Sequence, residues 1–240
     1  MRRVLGAAGA RAAAAAHAFV HPTAHVHPTA RLAPNVVVLE NAYVGPRCLL
    51  QPGAVVGAGA RVGEGSMLGA HASVENCTIG AHCVLHSGVR IGADGFGFTL
   101  MTDGSVIKKP QLLRVRLGDG VEVGAGACID RGSWRDTRVG DETKIDNLVQ
   151  VGHNVLIGRG CLICAHSALG GSAELGDHVV MGGKSAVADH VRVCSGVRLA
   201  ACSGVTKHIT SSGDYAGLPA QPAGGWRREV ATVRRLARVT

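Results

Sequence analysis

Residues 139–205 read VGDETKIDNLVQVGHNVLIGRGCLICAHSALGGSAELGDHVVMGGKSAVADHVRVCSGVRLAACSGV, and every sixth residue is large and aliphatic: Val139, Ile145, Val151, Ile157, Ile163, Leu169, Leu175, Met181, Val187, Val193, Leu199 and Val205. Two places before each stands a small residue, among them Thr143, Val149, Cys161, Ser167, Ala173 and Ser185. Glycine often follows, as in Ile157-Gly158 and Leu175-Gly176. The same rhythm runs from Val26 through Val38, Val44, Val56 and Leu68 to Val74, slips by one residue to Ile79, Leu85 and Ile91, and resumes at Leu117, Val123 and Ile129. A period of six is neither the 3.6 of a helix nor the alternation of a sandwich strand. It predicts an all-β chain wound as a prism-shaped parallel β-helix, with a short strand and a turn on each of three sides. One large and one small inward residue per hexad would fill a narrow triangular core, and glycine would relieve the corners. A single coil cannot bury its apolar face, so stability has to come from stacking.

Composition agrees. Aromatics are only 3% of the 240 residues, while hydrophobic residues reach 46% and glycines number 35. An aromatic core and a disordered chain are both excluded, and no run approaches the ~18 apolar residues of a membrane span. The net charge of +8 gathers at the ends: no acidic residue precedes Glu40, and the final WRREVATVRRLARVT carries five arginines against one glutamate. Nucleic-acid binding would need a basic face interleaved with stacking aromatics, which are missing. Of the eight cysteines, Cys48, Cys77, Cys83 and Cys161 take the small inward position, so packing outweighs zinc or redox use of the Cys161/Cys164 CxxC. Unpaired thiols suit a reducing compartment.

The rhythm divides the chain. Residues 1–19, Ala-rich and acid-free with three arginines, read as a transit peptide or an N-terminal arm. Residues 20–209 read as the β-helix, broken by an insertion at 93–114 that holds Phe96, Phe98 and the basic Lys108–Gln111 stretch. Insertions in solenoids collect on one face and often serve binding, which points to a groove or subunit contact. Residues 210–240 read as a loop followed by a short basic α-helix over Arg227–Val239, capping the last coil.

Among twelve histidines, His153 in DNLVQVGHN falls two residues after the inward Val151, where it should point outward. A neutral imidazole facing a cleft can act as a general base, although position alone is also met by a surface or turn histidine. His190 and His208 lie 18 residues apart and should stack on one corner. Stacked histidines raise the alternative of a trimeric zinc enzyme of the γ-carbonic anhydrase kind, but no two histidines here have four residues between them, the spacing of that family's ligand pair.

In order along the chain stand GADGFGF (92–98), IKKPQLLRV (107–115), ACIDRGSWRDT (127–137), DETKIDNLVQVGHNVLIG (141–158), MGGKSAVADH (181–190) and GDYAGLPAQP (213–222). Together they resemble the UDP-3-O-(3-hydroxyacyl)glucosamine N-acyltransferases of lipid A biosynthesis, with wording closest to the plant and algal mitochondrial members. The resemblance implies the left hand of the β-helix, which the usual crossover rule would not predict. It also implies a homotrimer, a mitochondrial location (cytoplasmic for a bacterial protein), and transfer of a 3-hydroxyacyl chain from acyl carrier protein to the 2-amino group of a UDP-sugar. No cofactor or metal is implied. His153 corresponds to the catalytic base, Gly171 to the backbone N–H that stabilises the oxyanion, and His190 to a second histidine near donor and substrate. Asp146 is a candidate to orient His153, across the subunit interface if need be. Asn147, Gln150, Phe96 and Phe98 fall in the blocks expected to bind substrate, and the basic C-terminal helix would meet the acidic carrier protein. Bacterial members carry an N-terminal domain whose aromatics hold the uracil ring; here the solenoid is expected to start near Val20, without that domain. Two other functions fit the same fold: a non-catalytic trimeric scaffold, and an acetyl-CoA-dependent acetyltransferase.

Overall fold

A computed structural model describes residues 18–217 and 223–237 of the chain. The proposed transit peptide lies almost wholly outside the described residues. From Phe19 onward the chain winds as a left-handed parallel β-helix of strands two or three residues long, stacked into three parallel sheets of ten, nine and ten strands. On the first face Phe19 pairs with Val37, and Val37 with Val55, which sets a coil at eighteen residues. The phase slip read in the sequence appears as one shortened coil, in which Ser73 pairs with Arg90.

Both hexad positions point inward. The large ones (Val56, Leu68, Leu85, Val151, Met181) are fully buried, and so are the small ones (Ala54, Ala60, Ala72, Cys83, Cys161). A polar residue is tolerated at the small position because its hydrogen finds a corner carbonyl of the next coil. Ser66 donates to the Gly80 carbonyl at 3.0 Å, Thr143 to that of Gly158 at 2.9 Å and Ser167 to that of Gly182 at 3.1 Å. The cysteines do the same: Cys48 points at the Gly63 carbonyl and Cys161 at that of Gly176. Burial pushes the Cys77 thiol up to about 12, so it stays protonated and inert at neutral pH.

Corners need a residue in the left-handed region, and histidine fills several of these places. His71, His82 and His178 all have φ near +55°. Each ring lies over a corner glycine of the previous coil: a Cβ on Gly160 would stand 2.6 Å from the His178 ring. These histidines are structural.

Among the described residues two segments lengthen the coil markedly, and both leave from the corner between the first and second faces. The first is residues 92–114, which project as an antiparallel hairpin of Phe98–Leu100 and Val106–Lys108. The second is the loop at 130–136, which stretches the coil so that Cys128 pairs with Gln150.

Three expectations for the C-terminal part are corrected. His208 does not stack on His190, because the last coil is two residues short: Val193 pairs with Ile209, and the Arg192 N–H donates to His208 Nδ1 at 3.0 Å. Gly213–Tyr215, read as loop, is a strand pairing with Val197–Leu199. The basic helix is present but starts earlier, spanning Ala223–Leu236. Its arginines, Val233 and Leu236 are exposed, so within one chain its described residues do not cap the coil.

Leu85→Ala, in the fully buried ladder, should destabilise by about 2–5 kcal/mol through lost contacts and a cavity; the shift of the urea midpoint measures it.

Candidate active site

The corner between the first and second faces collects most of the residues expected to do chemistry. Strand Gln150–Val151 ends there, and the next residues, Gly152 to Asn154, turn the chain toward the second face. One coil later, strand Ala168–Leu169 delivers Gly171 to the same edge. The insertion and the 130–136 loop leave from this corner in earlier coils. Their convergence makes a groove lined by Phe96, Phe98, Asp130, Gln150, His153 and Gly171.

His153 is held between two glycines. A Cβ on Gly171 would lie 2.6 Å from its Cε1 and 2.9 Å from its Nε2, and a Cβ on Gly95 would lie 2.6 Å from its Cβ. No other residue lets backbone approach the imidazole from both sides. The Gly171 N–H meets no protein acceptor among the described residues. It is therefore a free donor beside the ring.

A neighbour fixes the tautomer of the ring. His153 Nδ1 is 2.7 Å from Asn154 Oδ1. The Asn154 amide cannot be reversed, because its Nδ2 donates to the Arg135 carbonyl at 2.8 Å and its Oδ1 accepts from Ser133 Oγ at 2.9 Å. The network therefore assigns the proton to Nδ1, leaving Nε2 with a free lone pair. Asn154 is fully buried, sits at φ +64°, and its N–H donates to Thr137 Oγ1. Arg135 braces it further, donating to the Asn154 carbonyl at 2.8 Å and pairing with Glu174.

Asp130 is the carboxylate of this groove. It accepts a hydrogen bond from Gln150 Nε2 at 3.1 Å and lines the same groove as His153. Burial, with a contribution from Asp94, pushes its carboxyl up to about 6. Asp94 itself is paired with Lys108 of the hairpin. Phe96 and Phe98 pack edge-to-face at 4.9 Å between centroids, yet Phe96 remains 86% exposed.

The structure does not bring Asp146 and Asn147 to His153 within one chain. They occupy the corner between the third and first faces, a full prism face away, where Asp146 Oδ1 caps the Asn147 N–H and Asn147 Oδ1 accepts from the Ala125 N–H. They line a separate groove with His86, Glu122, Lys144 and Leu162. Seven residues exceed one hexad, so the chain has turned a corner in between. Within one chain the residue hydrogen-bonded to the imidazole is Asn154. His190 follows Gly171 one coil later on the His153 corner, exposed, its N–H donating to the Gly171 carbonyl. Sequence reasoning missed Asn154, Asp130 and Arg135; the signal available was their membership of the IDRGSWRDT and VGHN blocks. Among the described residues no group of three or more His, Cys, Asp or Glu stands where it would hold a metal ion.

The bacterial transferase hexapeptide (six repeats) family matches residues 59–93 and 136–171. With the three stacked parallel sheets, this makes the chain a hexapeptide-repeat protein of the left-handed β-helix class. Several of its sequence relatives carry the name UDP-3-O-acylglucosamine N-acyltransferase. One, named as a probable mitochondrial enzyme of that activity from Arabidopsis thaliana, is 52% identical over 160 residues, 67% of this chain and 53% of that one. Another, from Methylobacterium nodulans, is 45% identical over 166 residues, 69% of this chain and 47% of that one. The chain thus spans about half the length of the curated relatives it matches. Among solved structures, the fold is similar to UDP-N-acetylglucosamine O-acyltransferase from Moraxella catarrhalis, at 23% identity and a TM-score of 0.63, covering 88% of this chain and 77% of that one. It is also similar to the Arabidopsis UDP-N-acetylglucosamine acyltransferase, with a TM-score of 0.57 at 22% identity and the same coverage.

Two measurements test this geometry. Imidazole nitrogen shifts, with the signal identified by its loss in His153→Gln, should show His153 as the Nδ1–H tautomer at pH 8. Asp130 binds its proton more tightly folded than unfolded, where a carboxyl titrates at about 3.9. Stability should therefore fall as pH rises from about 4 through about 6. Asp130→Asn should accordingly raise Tm at pH 7.5 and give no gain at pH 4.

Proposed function

We propose that this chain is an N-acyltransferase of lipid A-type biosynthesis, moving a 3-hydroxyacyl chain from acyl carrier protein to the 2-amino group of UDP-3-O-acyl-glucosamine. The observation that carries the reading is the pairing of a tautomer-fixed His153 with the unpartnered N–H of Gly171 in one groove. The attacking amine nitrogen forms a bond to the thioester carbonyl carbon. The developing oxyanion is met by the Gly171 N–H, a donor set in place before the reaction. His153 Nε2 takes a proton from the attacking nitrogen, and the resulting imidazolium is stabilised at Nδ1–H by Asn154. Collapse breaks the C–S bond, and the proton passes from Nε2 to the departing sulfur. No step requires a metal or a cofactor.

Phe96 and Phe98 supply an apolar wall for the acyl chain, Gln150 a polar contact for the acceptor, and His190 a contact further along the donor path. The exposed arginines of the C-terminal helix, Arg228, Arg234 and Arg235, fit the acidic surface of a carrier protein. The working form is taken to be a homotrimer, in which the groove with Asp146 and Asn147 faces a neighbour. The name of the Arabidopsis relative supports a mitochondrial location.

Purified protein, supplied with 3-hydroxyacyl carrier protein and UDP-3-O-acyl-glucosamine, should form the amide. His153→Ala should lower kcat/KM by about 100-fold or more, the scale of a lost general base. Unchanged transfer by His153→Ala would sink the assignment.

A further inference from the structure

The proposed reaction carries a proton problem that His153 alone does not solve. An aliphatic amine beside electron-withdrawing groups, like the α-amino group of a chain at about 7.7–8.0, is largely ammonium at neutral pH. An ammonium has no lone pair with which to attack. Converting ammonium and thioester to amide and thiol releases one net proton, while His153 only moves a proton from nitrogen to sulfur. The predominant ammonium form can be used directly only if a second group in the same groove takes that first proton.

We infer that Asp130 is a second catalytic residue of this site, which receives the acceptor sugar as its ammonium ion and removes the first proton before attack. The inference rests on the acyltransferase reading above and extends it to the charge state of the substrate. Asp130 lines the groove with His153, and only one of its oxygens is engaged, by Gln150 Nε2. The remaining oxygen is available to a cation. The surroundings leave that role to Asp130 alone: Asp94, the other carboxylate of the groove, is tied to Lys108 and faces Arg131 at 3.9 Å. The other charged or titratable groups near Asp130 are His153 from a later coil, Cys128 on the strand that precedes it, and Lys108, which lines the groove but is paired with Asp94.

The steps balance. The ammonium gives one proton to the Asp130 carboxylate, and its freed lone pair forms the C–N bond. His153 Nε2 takes a second proton from nitrogen, the C–S electron pair leaves on sulfur, and sulfur receives the His153 proton. Asp130 then releases its proton to solvent, the one the overall equation requires. A carboxyl at about 6 suits this exchange, whereas one at the usual value of about 3.9 would be too weak a base to compete for an ammonium proton.

The test is the pH profile of kcat/KM for Asp130→Asn and Asp130→Glu in the full chain, with 3-hydroxyacyl carrier protein and UDP-3-O-acyl-glucosamine. At pH 6.5, where the acceptor is mostly ammonium, Asp130→Asn should lose about 10–100-fold. By pH 9, where the amine is free, its deficit should shrink to within about 3-fold. Asp130→Glu should restore much of the activity at low pH. A loss equal at every pH would overturn the inference in favour of a positioning role, and so would an unchanged profile. Transfer abolished in His153→Ala but following the wild-type profile in Asp130→Asn overturns this inference and leaves the acyltransferase reading standing. Absence of transfer by the wild type overturns both.

Discussion

The narrow triangular interior governs this molecule. It accepts one large and one small side chain per six residues, and the coil closes at eighteen. A residue that does not fit this rhythm has no place inside and must leave at a corner. The hairpin over 92–114 and the loop over 130–136 are the two marked departures, and both are expelled at the corner between the first and second faces. The groove is a consequence of that expulsion. Strands of two or three residues form only a shallow wall, and at the His153 corner the extra chain folding back over that wall supplies the other side of the groove.

The same packing rule separates structural from chemical uses of one residue type. His71, His82 and His178 sit in the left-handed corner position and cover glycines of the preceding coil. His153 stands one residue earlier in its corner, and Asn154 takes the left-handed place instead. This shift by one residue turns the imidazole into the groove and puts an amide behind it to set the tautomer. Asp130 shows the cost of keeping a carboxylate in such a groove: burial opposes its charge, a conflict with stability of the kind that functional sites retain.

Much of the site was legible because the spacing of eighteen converts directly into adjacency. His153 and Gly171 are eighteen apart and meet on one edge. Asp146, seven residues from His153, looked close and is a prism face away, whereas Asp130, twenty-three away, shares its groove. The reason is that sequence distance counts residues, while proximity in a solenoid depends on corner and coil. The 130–136 loop also changes the local coil length, which no periodic rule anticipates. The C-terminal helix was legible in type but not in role, because its contacts are not encoded in its own spacing.

By itself the sequence determined the class of fold, the place of the insertion and the inward fate of the buried cysteines, since these follow from local periodicity and the volume of side chains. Only the tertiary structure decided which carboxylate faces His153, which neighbour holds its proton on Nδ1, and that the Gly171 N–H is left unpartnered. Those facts depend on side-chain directions at a corner built from four different coils, and a hydrogen-bond network is specified by geometry across coils, not by spacing along one.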